Sequence, residues 1–420
     1  MANILQVLLL ASIIRLMRKQ IVISALILLF ILVATTLVIL YGKGYQFDFN
    51  KGNPNIAGTG LLVATSNPDG AQVFVNGHLT TATDNTINLS PGTYDVKIVK
   101  EGYLPWEKTL IVKDEVVTKA DALLFPTAPK LESITNLGAW NPVLDPSHTK
   151  IAYTVASQSA TKNGIYILDT TVRPILTLQS SSSQIIDDTL SNFSDAKLEW
   201  SPDGSELLAT ISAQTLPTTY LLQTNGFNQS PQDVTETLAS VNASWDKQKT
   251  EKEKALVDGL PKTLKQVVES DFQVIDWSPD ETKILYVASQ SAQIPIIISP
   301  RLIGTDSTPE VRSIEKGGVY VYDIKEDRNY KIVDSLPNEE SLNIYSPSPL
   351  MWFPDSLHLI YVHNKKIDIM EYDAQNRTTI YAGPFIDDYV FPWSDGSRIV
   401  ILTDLGNPNT APNLYTVDLN

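Results

Sequence analysis

Cysteine is absent from all 420 residues. That excludes disulfides, thiolate metal sites, iron–sulfur clusters and a cysteine nucleophile. It does not exclude an address outside the cytoplasm, because a domain with a large enough core needs no crosslink. Histidine is scarce: His78, His148, His358 and His363 are the only four. Acid–base or metal chemistry would therefore fall mostly to carboxylates. Positive charge is short as well, with 32 Lys and Arg against 47 Asp and Glu, a net of −15. Phosphate binding needs a positive surface, so a nucleic-acid partner is not expected. There is no G-x-S-x-G nucleophile elbow, no H-E-x-x-H pair and no EF-hand loop. What is left is a composition ordinary for folded protein, 43% hydrophobic and 19% charged, in a chain long enough for two or three domains.

One run breaks that ordinary pattern. Ile21–Tyr41, IVISALILLFILVATTLVILY, carries no charge. As a helix it would span about 30 Å, the thickness of the bilayer hydrocarbon. Arg15, Arg18 and Lys19 precede it, which predicts a cytoplasmic segment 1–20, a signal anchor 21–41, and everything beyond outside the cell membrane. A buried core helix is rarely this apolar for this length, and a cleaved signal peptide has a shorter apolar region and a small-x-small cleavage site. A second apolar stretch, NILQVLLLASII, lies ahead of the basic cluster. Met17-Arg18-Lys19-Gln20 would make a natural signal-anchor start, so initiation at Met17 is an alternative that N-terminal peptide mass spectrometry tests.

Residues 42–57 form a linker rich in Gly, Asn and Lys, in which Tyr45, Phe47 and Phe49 alternate as in a short edge strand. From 58 to 125 a period of two sets in. LLVATS precedes the turn Asn67-Pro68-Asp69-Gly70. AQVFVNG follows, then a Pro91-Gly92 turn, then Tyr94, Val96 and Ile98 alternating with polar residues, and Leu110 and Val112 on a further strand. This predicts a small antiparallel, sandwich-like β-domain. PDGAQVFVNG followed by LSPGTYDVKIVKEGY resembles the PEGA domain family, with Asp69 where the family usually has Glu. The resemblance implies a non-catalytic module of bacterial and archaeal surface proteins. Turn geometry alone accounts for Pro68, Gly70, Gly77 and Gly92.

The remainder, 130–420, repeats itself. WSPDGSELLAT (Trp200–Thr210), WSPDETKILYV (Trp277–Val287) and WFPDSLHLIYV (Trp352–Val362) are the clearest copies. WSDGSRIVIL (Trp393–Leu402) lacks the proline, and LDPSHTKIAYT begins at Leu144 with Trp140 displaced upstream. Each copy is followed by an alternating strand, such as GIYILDT or GVYVYDI. An aromatic residue ends one strand, Pro and Gly shape a tight turn, and a buried strand follows. The pattern resembles the WD-like repeat of the TolB-type β-propeller. It gives five recognisable blades and leaves room for a sixth, degenerate one. The last strand, NLYTVDLN, has no successor, so KLESIT (Lys130–Thr135) is expected to complete the final blade and close the ring. Two insertions interrupt the blades: a helical one, 235–270, bearing Leu238, Val241, Trp245 and the charged run DKQKTEKEKA, and a proline-containing loop, Ile294–Lys316.

The fold class expected is thus all-β with one N-terminal transmembrane helix. Asp203, Asp280 and Asp355 belong to repeat turns. Asp187-Asp188 and Asp387-Asp388 each lie a few residues ahead of a repeat tryptophan. Together with Trp245 these four acids are the candidate binding residues, although two acids are too few to hold a cation. No catalytic residue, cofactor or metal is expected. The reading is a non-catalytic binding or scaffolding protein of the cell envelope. It would be held in the lipid bilayer, with a propeller face for an envelope protein or surface polymer. The alternative is a glycan hydrolase using carboxylates at the propeller's central cleft.

Overall fold

A computed structural model describes residues 2–42, 46–48, 55–156, 158–171, 182–212, 216–336, 348–386 and 389–419. The first element, α1 (Ala2–Gly42), is one helix that continues through the expected boundary at residue 20. Its apolar span, Lys19–Ile39, has a mean hydropathy of 3.0 and is covered by no other part of the chain. Length and composition suit it to crossing a membrane. Within the linker, Gln46–Asp48 pairs antiparallel with Asn55–Ala57, joining Gln46 to Ala57. Phe47 lies in that short strand; Tyr45 and Phe49 fall outside the described residues.

The small domain is a sandwich of two sheets. Asn85–Leu89, Gly60–Asn67 and Val117–Leu123 form one; His78–Ala82, Gln72–Val75, Gly92–Val99 and Trp106–Val112 form the other. Alternate residues turn inward, so Leu62, Ala64, Val73, Val96, Ile98, Trp106, Leu110 and Ala120 make one core. Asn76 and Gly77 both take positive φ, 49° and 78°, as a two-residue hairpin between right-twisted strands requires. One expectation is corrected: the domain is not purely antiparallel, because Gly60–Asn67 and Val117–Leu123 run parallel. Parallel neighbours need a crossover, and the four strands of the second sheet supply it.

Five four-stranded antiparallel sheets follow among the described residues. Blade 1 runs from Trp140 to Asp187, blade 2 from Lys197 to Asp233, blade 3 from Phe272 to Val333, and blade 4 from Leu350 to Tyr381. Blade 5 is built from both ends of the region. Val390–Pro392, Arg398–Thr403 and Asn413–Asp418 are completed by Leu131–Ser133, which pairs through Leu131 with Val417 and through Ser133 with Tyr415. The expected closure strand is thus in place. The repeat turns link the first two strands of each blade and are tied internally. Ser201 Oγ donates to Asp203 at 2.6 Å, Ser278 Oγ to Asp280 at 2.7 Å, and Ser397 Oγ to Asp395 at 2.6 Å.

Adjacent blades share apolar seams. Ile167 and Ile185 of blade 1 meet Trp200 and Leu222 of blade 2. Leu285 and Val321 of blade 3 meet Trp352 and Met370 of blade 4. Blades 4 and 5 join through Ile369 and Ile401, and blades 5 and 1 through Val400 and Tyr153. Between blades 2 and 3 the filling is different. Helix α2 (Leu238–Asp258) lays Trp245 on Leu208 and Val234 of blade 2. Helix α3 (Lys262–Asp271) lays Leu264, Val267 and Val268 on Ile284 and Tyr286 of blade 3. Leu208 alternates with Leu207 and Ala209, which face blade 1, so α2 covers blade 2's opposite face. The helical insertion therefore occupies the seam where a further blade would stand, while its charged run stays exposed. Trp245 is 7% exposed. Trp245→Ala should cost about 3–5 kcal/mol in equilibrium denaturation, the usual penalty for a buried Trp cavity. A cost near zero would mean that α2 does not hold the seam.

Candidate functional site

Of the acids singled out by sequence position, Asp187 and Asp188 are bound up in a loop. Asp187 closes blade 1's outer strand, where its Oδ1 accepts from the Thr189 backbone N–H at 3.1 Å and the Thr189 hydroxyl at 2.5 Å. Asp188 Oδ1 accepts from Ser194 N–H at 2.9 Å. Both carboxylates shape the loop that leads to blade 2. Asp387 and Asp388 lie outside the described residues, and Trp245 is packed in the seam already described. The two neighbouring histidines have separate partners: His358 Nδ1 meets Asp355 at 2.6 Å, and His363 Nε2 meets Asp368 at 2.7 Å. Burial alone would lower the His358 pKa, but the Asp355 carboxylate outweighs it and raises it. No group of three or more His, Asp or Glu arranged to hold a metal occurs among the described residues.

A buried cluster of charges is one feature that sequence spacing did not reveal. It sits where the small domain meets the propeller. Trp106 and Lys108 share one face of the strand Trp106–Val112, the free edge of its sheet. Lys108 Nζ lies 2.6 Å from Asp373, 2.8 Å from Glu371 and 3.1 Å from Asp306. The Lys108 side chain is 8% exposed and that of Asp373 is fully buried. Glu371 also accepts from Trp106 Nε1 at 2.5 Å, and Thr308 Oγ1 donates to Asp373. Glu371 and Asp373 come from blade 4's hairpin, and Asp306 from the blade 3 insertion loop. That loop is itself pinned by Asp327. Its carboxylate accepts the N–H groups of Ile297 and Ile298 and pairs with Arg301 and Arg312, each at 2.9 Å. The strand edge is capped too: Glu107 N–H donates to Asn376 Oδ1 and Ile111 N–H to Ser307 Oγ, both at 2.9 Å. Beside them Phe125 enters the core of blades 4 and 5, leaving a narrow crevice bordered by Trp106, His358 and Asn376.

Residues 59–127 match the family model described as the PEGA domain. The segment's two-sheet core and its Asn-Gly hairpin fit that match. Residues 59–127 are a PEGA domain. Among solved structures, the chain is similar to a putative TolB from Agrobacterium tumefaciens, at 14% identity over 71% of this chain and 76% of that one, with a TM-score of 0.21. It is also similar to TolB from Acinetobacter baumannii, at 14% identity over 77% and 59%, with a TM-score of 0.24. A comparison with curated proteins finds no match. The propeller assignment rests on the strand order itself, five four-stranded sheets with the last completed from the front of the region.

Chemically, the PEGA–propeller junction is a clamp. Burial would lower the Lys108 pKa, but Glu371, Asp373 and Asp306 together raise it, so it stays charged. With three carboxylates and one ammonium, the site is over-supplied with acid. Burial, helped by the neighbouring acids, pushes Asp373 up to about 6. Asp306 would be raised by burial, but Lys108 holds it below its ordinary value. Lys108→Met leaves buried carboxylates unpaired and should cost about 3–5 kcal/mol of stability in the intact protein. The sign with pH follows from Asp373. The folded state takes up its proton near pH 6 and the unfolded chain only near 4. Stability should therefore rise as pH falls from 7 toward 4, and Asp373→Asn should flatten that rise. Denaturant titrations at stepped pH measure both effects.

Proposed function

We propose that this is a membrane-anchored, non-catalytic binding or scaffolding protein of the cell envelope. Its PEGA domain and propeller would stand outside the cytoplasmic membrane. The observation that carries the reading is the clamp at Lys108. The buried acids Asp306, Glu371 and Asp373 serve to fix one domain on the other, with their oxygens taken by Lys108, Trp106 and Thr308. A body made rigid in this way, on an apolar N-terminal helix, presents a surface in a defined pose, which lowers the ordering cost of binding. The basic residues ahead of the helix support the outward orientation. The net charge of −15 favours a partner with basic or neutral surface, an envelope protein or a surface polymer. A membrane-impermeant crosslinker applied to intact cells tests location and partner together. Recovery of the full-length protein joined to an envelope protein or polymer is expected. Absence of any crosslink, alongside glycan turnover by the purified protein, would overturn the reading in favour of a carboxylate hydrolase.

A further inference from the structure

The blade 3 insertion loop does more than supply Asp306. Its tip, Leu302-Ile303-Gly304-Thr305, carries no charge. Ile303 is 75% exposed and Leu302 44%. Gly304, at φ 81°, abuts Val116 so closely that an added Cβ would lie 2.7 Å from the valine Cγ1. The tip therefore extends an apolar surface that the PEGA domain begins with Val116 and with Val117, which is 46% exposed. The loop is held to the PEGA edge strand just beyond the tip, where the Ile111 backbone N–H donates to Ser307. The loop cannot easily fold back to hide these side chains, because Asp327 and Lys108 fix its two halves.

This patch faces the place where the chain arrives from α1. Leu61, the second residue of the first PEGA strand, pairs with Val117, and its N–H donates to Val116 O at 3.0 Å. The pairing of Gln46 with Ala57 short-circuits the linker. At full extension the path from Gly42 to Gly60 then spans no more than about 30 Å, roughly half the contour of the same residues unpaired. The apolar tip is thus tethered close to the end of α1. Tethering turns even a weak surface affinity into an occupied state.

We propose that Leu302, Ile303 and Val117 form a lipid-contacting foot, which seats the PEGA–propeller body on the membrane–water interface at the outer end of α1. The inference rests on α1 crossing the bilayer.

The cysteine-free chain makes the test clean. Single variants Ile303→Cys, Val117→Cys, Leu216→Cys and Val33→Cys are labelled with an environment-sensitive fluorophore and reconstituted, full length, into phosphatidylcholine vesicles. Labels at 303 and 117 should shift to the blue and be quenched by lipids with a nitroxide near the headgroup. Leu216 on blade 2, also 75% exposed, should do neither. Adding Ile303→Asp should abolish quenching at 117 without lowering the unfolding midpoint. A label at 303 as water-exposed as that at 216, with Val33 quenched, would overturn the foot while leaving the anchor intact. A blue shift that grows with protein density, without lipid quenching, would overturn it in favour of a second copy of this chain. Loss of quenching at Val33 as well would overturn both the anchor and the foot.

Discussion

The ion cluster at Lys108 is the constraint on which the arrangement of the two domains depends. One ammonium is withdrawn from water and surrounded by Asp306, Glu371 and Asp373. Each ion alone would be costly to bury. Held together, they demand that the PEGA edge strand, the blade 4 hairpin and the blade 3 insertion loop meet at one point. The same contact covers a free sheet edge, whose exposed N–H groups would otherwise invite pairing with another chain. Asn376 and Ser307 satisfy two of those groups, and Phe125 adds an apolar anchor to the core of blades 4 and 5.

The second constraint is the seam between blades 2 and 3. Each propeller sheet is apolar on two faces and must bury both. Four seams do this sheet against sheet. In the fifth, α2 and α3 supply the missing surface through Trp245 and through Leu264, Val267 and Val268. A helix with a polar outer side can cover a sheet face and end there, whereas another sheet would have a second face to bury. The exposed run Asp246–Lys254 is the consequence.

The first constraint also sets the position of an exposed surface. The loop that clamps the PEGA domain through Asp306 also carries the apolar tip at Ile303, so rigidity at the junction and exposure at the tip come from one segment. Asp327 is the residue that makes this possible, because it takes two backbone N–H groups and two guanidinium groups into one buried carboxylate.

Much of this was legible in the residues taken in order. Alternation and turn chemistry are local, so the PEGA strands, the repeat turns at Asp203, Asp280 and Asp355, and the membrane-length run in α1 could all be placed from sequence. Closure by Leu131–Ser133 was also visible, because a missing strand at one end and a spare one at the other have a simple solution. The parallel pair in the PEGA domain was not, since strand direction depends on the route of the chain between sheets. The same limit applies to the candidate site. Asp187 and Asp188 stood out as a doublet, yet they cap a loop. Trp245 stood out as an aromatic on a charged helix, yet it fills a seam. Lys108 and Glu371 are 263 positions apart, and neither belongs to a motif that spacing could reveal. Sequence alone determined what each segment becomes, because helix, strand and turn preferences act between near neighbours. Only the tertiary structure decided which charges and apolar surfaces meet, because burial and Coulombic pairing act through space and take no account of distance along the chain.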